Sequence, residues 1–250
     1  MIHRGSVSLA LCLVLVVGRS LRADDQADMK KLLAKAIEAA GGEKKLAKYQ
    51  AATLKMKGTA HLGVAIPFTT EWALQYPNQH KMTVEAKVGD DTYTQVVIIN
   101  KDKGWIKENT ADAKPLDKDT LAEKKEQLYV LSIMALVPLK DKSFKLAPVG
   151  ELKIGDHDAV GMKISRKGHR DVNLYFDKKT HRLVKSEASV KDMDNKEVTE
   201  ETTFSEFKKT DGVLYPSKMK IKRDGKKFAD VEVTEYKLEE KLDDSEFAKP

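Results

Sequence analysis

Cysteine is all but missing: Cys12 is the single one in 250 residues, and it lies inside an apolar leader. A lipoprotein signal wants a small residue just before its cysteine and a longer apolar run ahead of it. Leu11 precedes Cys12 and the run has barely begun, so lipidation there is rejected. The chain beyond the leader has no thiol, which excludes disulfides and cysteine chemistry even in an oxidising compartment. Aromatics make up only 6% of the residues. No Ser/Gly/Pro-rich linker and no repeat of fixed period interrupts the sequence, so one domain is expected over 24–250. G-x-S-x-G, Walker A, the Gly-rich dinucleotide loop and H-E-x-x-H are all absent, and the six histidines show no metal-ligand spacing. No catalytic residue, metal or cofactor is expected, and the chain does not read as an enzyme.

What is present begins with a targeting segment. A basic start, Met1 to Arg4, leads into an apolar run from Val7 to Val17 broken only by Ser8. Leu21, Arg22 and Ala23 then form an acceptable cleavage site ahead of Asp24 and Asp25. The run is about half of the roughly 20 residues a spanning helix needs. The reading is therefore a signal peptide over 1–23, cleaved after Ala23, with a retained anchor as the alternative. Removing Arg4, Arg19 and Arg22 takes the basic count from 45 to 42 against 39 acidic residues, a net of +3 in place of +6. With both signs interspersed, a pI of about 9.0 is poor support for nucleic-acid binding, and no nucleic-acid motif accompanies it.

Hydrophobic periodicity supplies the architecture. Met29, Leu32, Leu33, Ala36, Ile37 and Ala40 make one helical face over 27–40, and Gly41-Gly42 provides the stop. The period then changes to two, with clean alternation over 52–62, 64–76, 80–88, 92–99 and 104–108. A second helix is expected near 120–137, with Thr120 and Glu123 as a capping box and Pro138 as its end. Its last part is apolar almost all round, the mark of a buried helix. Strands resume over 144–152, 159–165, 172–176, 183–190, 197–207, 213–223 and 228–238. Arg223-Asp224-Gly225-Lys226 is the strongest hairpin signal in the chain. The inventory is mainly β (α+β): about eleven or twelve antiparallel strands and two helices, one sheet face dry and the other wet.

About twelve strands at roughly 4.8 Å spacing span nearly 55 Å, and two helices of about 10–12 Å cover only part of that width. Either the sheet curls round the helices into an incomplete barrel with an apolar hollow, or it splits into a packed sandwich. Pattern alone leaves both open.

A resemblance decides between them. Leu174-Tyr175-Phe176-Asp177-Lys178-Lys179-Thr180 running into Leu183-Val184-Lys185 resembles the "LYFDKxT-x-LVK" hairpin of LolA/LolB-like outer-membrane lipoprotein-sorting proteins. Asp211-Gly212-Val213-Leu214-Tyr215-Pro216 resembles their "DGV-x-x-P" strand start. The ending from Asp243 through Phe247 to Pro250 resembles their closing "D-x-x-F-x-x-P", and Gly41-Gly42 and Gly104-Trp105 fit the same plan. The resemblance spans roughly 27–250. It implies an unclosed, strongly curved antiparallel half-barrel with a helical lid over an apolar concavity. It also implies a bacterial, periplasmic location and a lipid or lipoprotein acyl chain as ligand. It carries over no individual contact residue.

From the residues themselves, the expected cavity lining is Leu54, Met56, Ile66, Phe68, Trp72, Leu74, Met82 and Val84, joined by Trp105, Leu128, Leu131 and Met134. Each is equally suited to ordinary core packing; the methionines would adapt to flexible chains. Lys218, Lys220 and Lys222 form a basic row on one strand's wet face. Such a row suits an anionic membrane or an acidic envelope partner, and also serves simply to keep a sheet soluble and unpaired. His157, between Asp156 and Asp158, reads as a solvated turn residue before a general base. A monomer is expected. The functional expectation is a carrier or holder of a hydrophobic ligand, the alternative being a non-enzymatic envelope interaction or sensor module on the same fold.

Overall fold

The computed structural model describes residues 23–192 and 194–250. The leader reading, including Cys12, falls outside them apart from its last residue, Ala23. Helix α1 (Ala23–Ala40) turns its predicted stripe inward: Met29, Leu32, Leu33, Ala36 and Ile37 are buried. It closes where the Gly42 N–H donates to the Ile37 carbonyl at 3.0 Å. A short α2 (Glu43–Lys48) follows. The first run of strands is β1 (Ala51–Leu62), β2 (Val64–Gln75), β3 (Gln79–Val88), β4 (Asp91–Asn100), β5 (Lys103–Glu108) and β6 (Lys114–Pro115). Helix α3 (Lys118–Met134) and a 3₁₀ turn (Val137–Lys140) lead to the second run. That run is β7 (Phe144–Ile154), β8 (His157–Arg166), β9 (Val172–Asp177), β10 (Leu183–Lys191), β11 (Glu197–Thr210), β12 (Val213–Arg223) and β13 (Lys226–Glu239), closed by a 3₁₀ turn at Asp244–Phe247.

All thirteen strands join one antiparallel sheet in the order β6-β5-β4-β3-β2-β1-β13-β12-β11-β10-β9-β8-β7. This is a chain of hairpins cut once and rejoined through the pairing of β1 with β13. The two sheet edges, β6 and β7, are consecutive along the chain and do not pair, so the barrel stays unclosed. Only α3 and its 3₁₀ turn connect them, and α3 touches β4 on one side and β10 on the other. Ladder irregularities at Lys55/Met56, Pro148/Gly150, Leu183/Lys185 and Ile221/Lys222 mark bulges, which bend and twist a sheet.

Three details depart from the sequence reading. β6 is a thirteenth strand, two residues long and invisible to periodicity, added beside Trp105 and Ile106. Helix α3 is capped by Asp117, whose Oδ1 accepts the Asp119 and Thr120 N–H groups at 3.0 and 2.9 Å, so the Thr120/Glu123 capping box does not form. Glu123 is bonded instead to Arg170. The helix also stops at Met134, before Pro138, where Leu136 takes φ 63° and the chain enters the 3₁₀ turn.

Register defines one continuous inner face. Met162 lies opposite Leu174, Leu174 opposite Ser186, Ser186 opposite Thr202, and Thr202 opposite Ile221. The same rung continues through Ala229 and Ala60 to Ile66. Along this face the two halves are filled differently. Over β7–β10, residues Leu146, Met162, Ile164, Val172, Leu174 and Phe176 pack against α1, Tyr129 and Ile133 of α3, and Leu136 and Leu139. This is the main core. A smaller cluster on the outer face holds Ala73, Ile98 and the fully buried Phe247, with Trp105, Val96 and Leu242 against them.

Candidate functional site

The inner face of the other half carries eight of the twelve residues expected to line a cavity. Leu54, Trp72, Met82 and Val97 form one rung; Met56, Thr70 and Val84 the next; Gly58, Phe68 and Ala86 a third. Ala52, Leu74, His80, Ile99 and Gly104 make the rung nearest α3, and Ile66 faces Ala60 toward the hairpin tip. Met56 and Leu74 are buried, while Leu54, Ile66, Phe68, Trp72, Met82 and Val84 retain partial exposure. Leu62, Val64 and Val88, at 42%, 66% and 53% exposure, continue the same apolar face out to two hairpin tips. Ala52, Thr70, Val97 and Ile99 of this half are buried too, but among the described residues they join no helix-backed cluster like the one α1 makes over β7–β10.

The remaining four expected residues separate. Leu128, on α3, is buried, and the Leu131 carbonyl lies 3.5 Å from the Tyr76 hydroxyl just beyond β2. Met134 packs against the main core. Trp105 stands apart: it pairs across from Ile98, on the outer face, within the Phe247 cluster.

Helix α3 is fastened on two sides through its first half. At its start, Leu121 and Leu116 lie so close to Gly104 that a Cβ there would come within 2.9 and 2.8 Å of their methyls. A side chain at 104 would have to push these two leucine ends aside. Lys125 reaches Asp102 at 2.7 Å on the same side. Across the opening, Arg170 grips the Glu123 carboxylate with both terminal nitrogens and the Ser189 carbonyl at 3.0 Å, and Glu123 also accepts the Lys191 N–H. Burial works to raise the pKa of Glu123, but these donors outweigh it and hold the carboxyl below its ordinary range. Glu126 accepts the Arg170 N–H at 2.7 Å and sits 3.0 Å from His169, whose ring stacks on Tyr129 at 3.8 Å.

Two open clefts lie nearby. One of about 450 Å³ is lined by Glu123, Glu126, His169 and Arg170. The other, about 830 Å³, includes Phe68, Lys218 and Lys220. Its Lys57, Glu85, Lys218 and Glu232 share one rung of the outer face by alternation, so it is not walled by the inner apolar set as a whole. The lysine row itself runs among acids. Lys218 bonds Glu206 at 2.7 Å and lies opposite Glu232, and Lys220 lies opposite Asp230, while Lys222 lies opposite Lys227.

His157 is paired with Asp177 at 2.8 Å, not with Asp156 or Asp158. Burial would raise the Asp177 pKa, but hydrogen bonds from Thr180, His157 and the Lys179 N–H bring it down to about 2. The Thr180 hydroxyl donates to this carboxylate and not to the imidazole, so the nucleophile–base order of a hydrolytic triad is not formed. Among the described residues, no three His, Cys, Asp or Glu side chains gather closely enough to hold a metal.

Sequence reasoning passed over two polar residues at this face, Lys124 and His80. His80 shares the parity of Met82 and Val84, and Lys124 interrupts the Leu121–Leu128–Leu131 stripe; those are the signals that were available.

An open antiparallel half-barrel, half filled by its own helices and strapped across the mouth by a third, defines the class. No protein-family model matches the sequence, and no curated protein matches it. Among solved structures the chain is similar to a LolA superfamily protein from Nitrosomonas europaea, with TM-score 0.57 and 11% identity over 88% of this chain and 97% of that one. It is similar to a DUF1329 family protein from Desulfovibrio piger over the same shares, with TM-score 0.57 and 12% identity. An outer membrane lipoprotein-sorting protein domain from Vibrio parahaemolyticus gives TM-score 0.52 and 13% identity, again over 88% and 97%. At these identities the likeness is one of fold: the chain has the LolA-like half-barrel fold.

Proposed function

We propose that this chain is an exported periplasmic carrier or holder of a hydrophobic ligand, a lipid or the acyl chains of a lipoprotein, and that it performs no chemistry on it. One observation carries the reading: the inner face is continuous, yet α1 backs only its β7–β10 half, while on the other half Leu54, Ile66, Phe68, Trp72, Met82 and Val84 stay partly exposed. A hydrocarbon chain laid there would gain roughly 0.8 kcal/mol per buried CH₂. The fold shared with a lipoprotein-sorting domain supports the same reading. Among the described residues no helix is long and apolar enough to cross a membrane. The exposed tips at Leu62, Val64 and Val88 favour the alternative, an envelope interaction module that meets a membrane or a protein partner through its rim.

The test is direct. Protein purified natively, extracted with organic solvent and analysed by mass spectrometry should release lipid in stoichiometric amount. It should also bind the neutral fluorescent probe N-phenyl-1-naphthylamine, and Val84→Trp, which fills the hollow, should weaken that binding about tenfold or more with an unchanged circular dichroism spectrum. Empty protein that takes up no probe would leave the interaction module as the better account.

A further inference from the structure

Lys124 is set where a lysine is costly. It stands three residues after Leu121 and four before Leu128 on α3, in the stripe that faces the uncored half of the sheet. Leu121 packs down on Gly104 and Leu128 is buried, so the ammonium between them is drawn under the lid. It donates to the Gln127 side-chain oxygen of the same helix at 3.2 Å. The carboxylates around it are already taken: Glu123 by Arg170 and the Lys191 N–H, Glu200 by Arg223 at 2.8 Å. Among the described residues Lys124 forms no ion pair. Burial holds its pKa below the ordinary lysine value. A half-buried ammonium without a counter-ion is an expensive feature in an apolar wall, where paired or exposed charge is the rule.

A second group points to the same place. His80 lies on the inner face in the rung of Leu74 and Ile99, close enough for the Lys124 charge to act on it. Its Nε2 is buried and has no hydrogen-bond partner. Its ring meets Trp72 edge-on at 5.2 Å. Trp72 gives its own N–H to Thr70, whose hydroxyl donates to the Thr83 carbonyl, so neither of them serves His80. With its proton on Nε2, His80 is a second donor aimed at the same hollow as the Lys124 ammonium.

We infer that the hollow takes an acidic amphiphile, with a carboxylate or phosphate head held by Lys124 and His80 beneath α3 and the hydrocarbon tail laid along Trp72, Met82, Val84 and Phe68 toward the open hairpin tips. The inference rests on the carrier reading and adds to it the headgroup class and its anchor. Donor and tail wall are adjacent rungs of one sheet face, so a single amphiphile meets both. A charge-assisted hydrogen bond to the head discriminates against a neutral alcohol of equal tail length, which leaves the ammonium without its anion.

Displacement of N-phenyl-1-naphthylamine at pH 8 by oleate, oleyl alcohol and hexadecyl phosphate, each below its aggregation limit, tests this on the mature chain. The wild type should bind oleate about tenfold more tightly than oleyl alcohol. Lys124→Met should erase that preference while holding the neutral probe and the alcohol as well as before; Lys124→Arg should restore it. Hexadecyl phosphate bound like oleate shows a site for either head, and oleate alone one for carboxylates; both outcomes support the anchor. Equal affinity for acid and alcohol, or a preference that survives Lys124→Met, overturns the headgroup inference and leaves the carrier reading standing. Failure of every probe to bind removes both.

Discussion

At the scale of single residues, two titrating groups divide the acid side of the stability curve. Burial, helped by the Lys124 charge, lowers the pKa of His80 to about 4. The unfolded chain takes up that proton near 6.5, so between pH 6.5 and 4 it is the better proton acceptor and the folded state loses ground as pH falls. The loss amounts to roughly 3 kcal/mol over the window. Asp177 acts lower down: its pKa of about 2 lies under its ordinary value, so its contribution is present above about pH 4 and disappears as pH falls toward 2. Urea unfolding midpoints should therefore drop in two steps. His80→Phe should flatten the step between pH 7.5 and 4.5 and leave the lower one, while Asp177→Asn should leave the upper step and shrink the lower one, to which Glu123 and Glu187 also contribute. A His80→Phe profile that parallels the wild type would mean that the imidazole is not held neutral in the hollow. The separation was hidden in the sequence because both residues look ordinary there. His80 heads an alternating strand, and Asp177 belongs to a surface-looking hairpin motif whose hydrogen bonds depend on how the turn folds back.

Among the elements, α3 decides access. It is a strap between unpaired sheet edges, tied at one side by Gly104 and Asp102 and at the other by Glu123 and Glu126. Arg170→Met leaves the Glu123 carboxylate in a half-buried site without its cation, which should cost about 2 kcal/mol. Glu123→Gln with Arg170→Met together should recover much of that loss, since the pair is removed as a unit. Both variants should admit the naphthylamine probe several-fold faster in stopped flow, because one fastening of the strap is gone. Unchanged entry rates beside a clear stability loss would make the pair structural and the helix no gate. The elements were legible to unequal degrees. Long alternating strands and the Asp224-Gly225 hairpin stood out because burial on one face imposes a period over many residues. β6 has two residues and no period to show, and the start of α3 moved to Asp117 because Arg170, distant in sequence, claims Glu123. The closing Phe247 was visible only as part of a motif; its fully buried place on the outer face depends on the edge of β3 and β4 being there to receive it.

For the molecule as a whole, alternation in β2–β4 and in β8–β10 looks the same, yet one half packs against α1 and the other keeps Leu54, Trp72, Met82 and Val84 partly exposed. Periodicity reports which side chains share a face and says nothing of what will cover them; α1, drawn from the chain's start, covers only the second half. That asymmetry should be measurable as stability. Ile133, Met162 and Leu174 have no exposure and dense surroundings, so Ile133→Ala should cost about 2–5 kcal/mol. Val84→Ala, on the open half, removes atoms that already touch solvent and should cost under about 1 kcal/mol. Amide hydrogen exchange should show the same division. Slow exchange is expected in β8–β10 and at the β1–β13 seam, whose ladder alone joins the two halves of the sheet. Fast exchange is expected toward the β1–β2 and β3–β4 tips, where Leu62, Val64 and Val88 of the inner face stay exposed. Oleate should then slow exchange in β2, β3 and α3 selectively and leave β8–β10 unchanged. Protection that rises evenly over the sheet would place the ligand's effect on global stability and not in the hollow, whereas a selective rise puts the ligand against the half of the face that the chain itself leaves uncored.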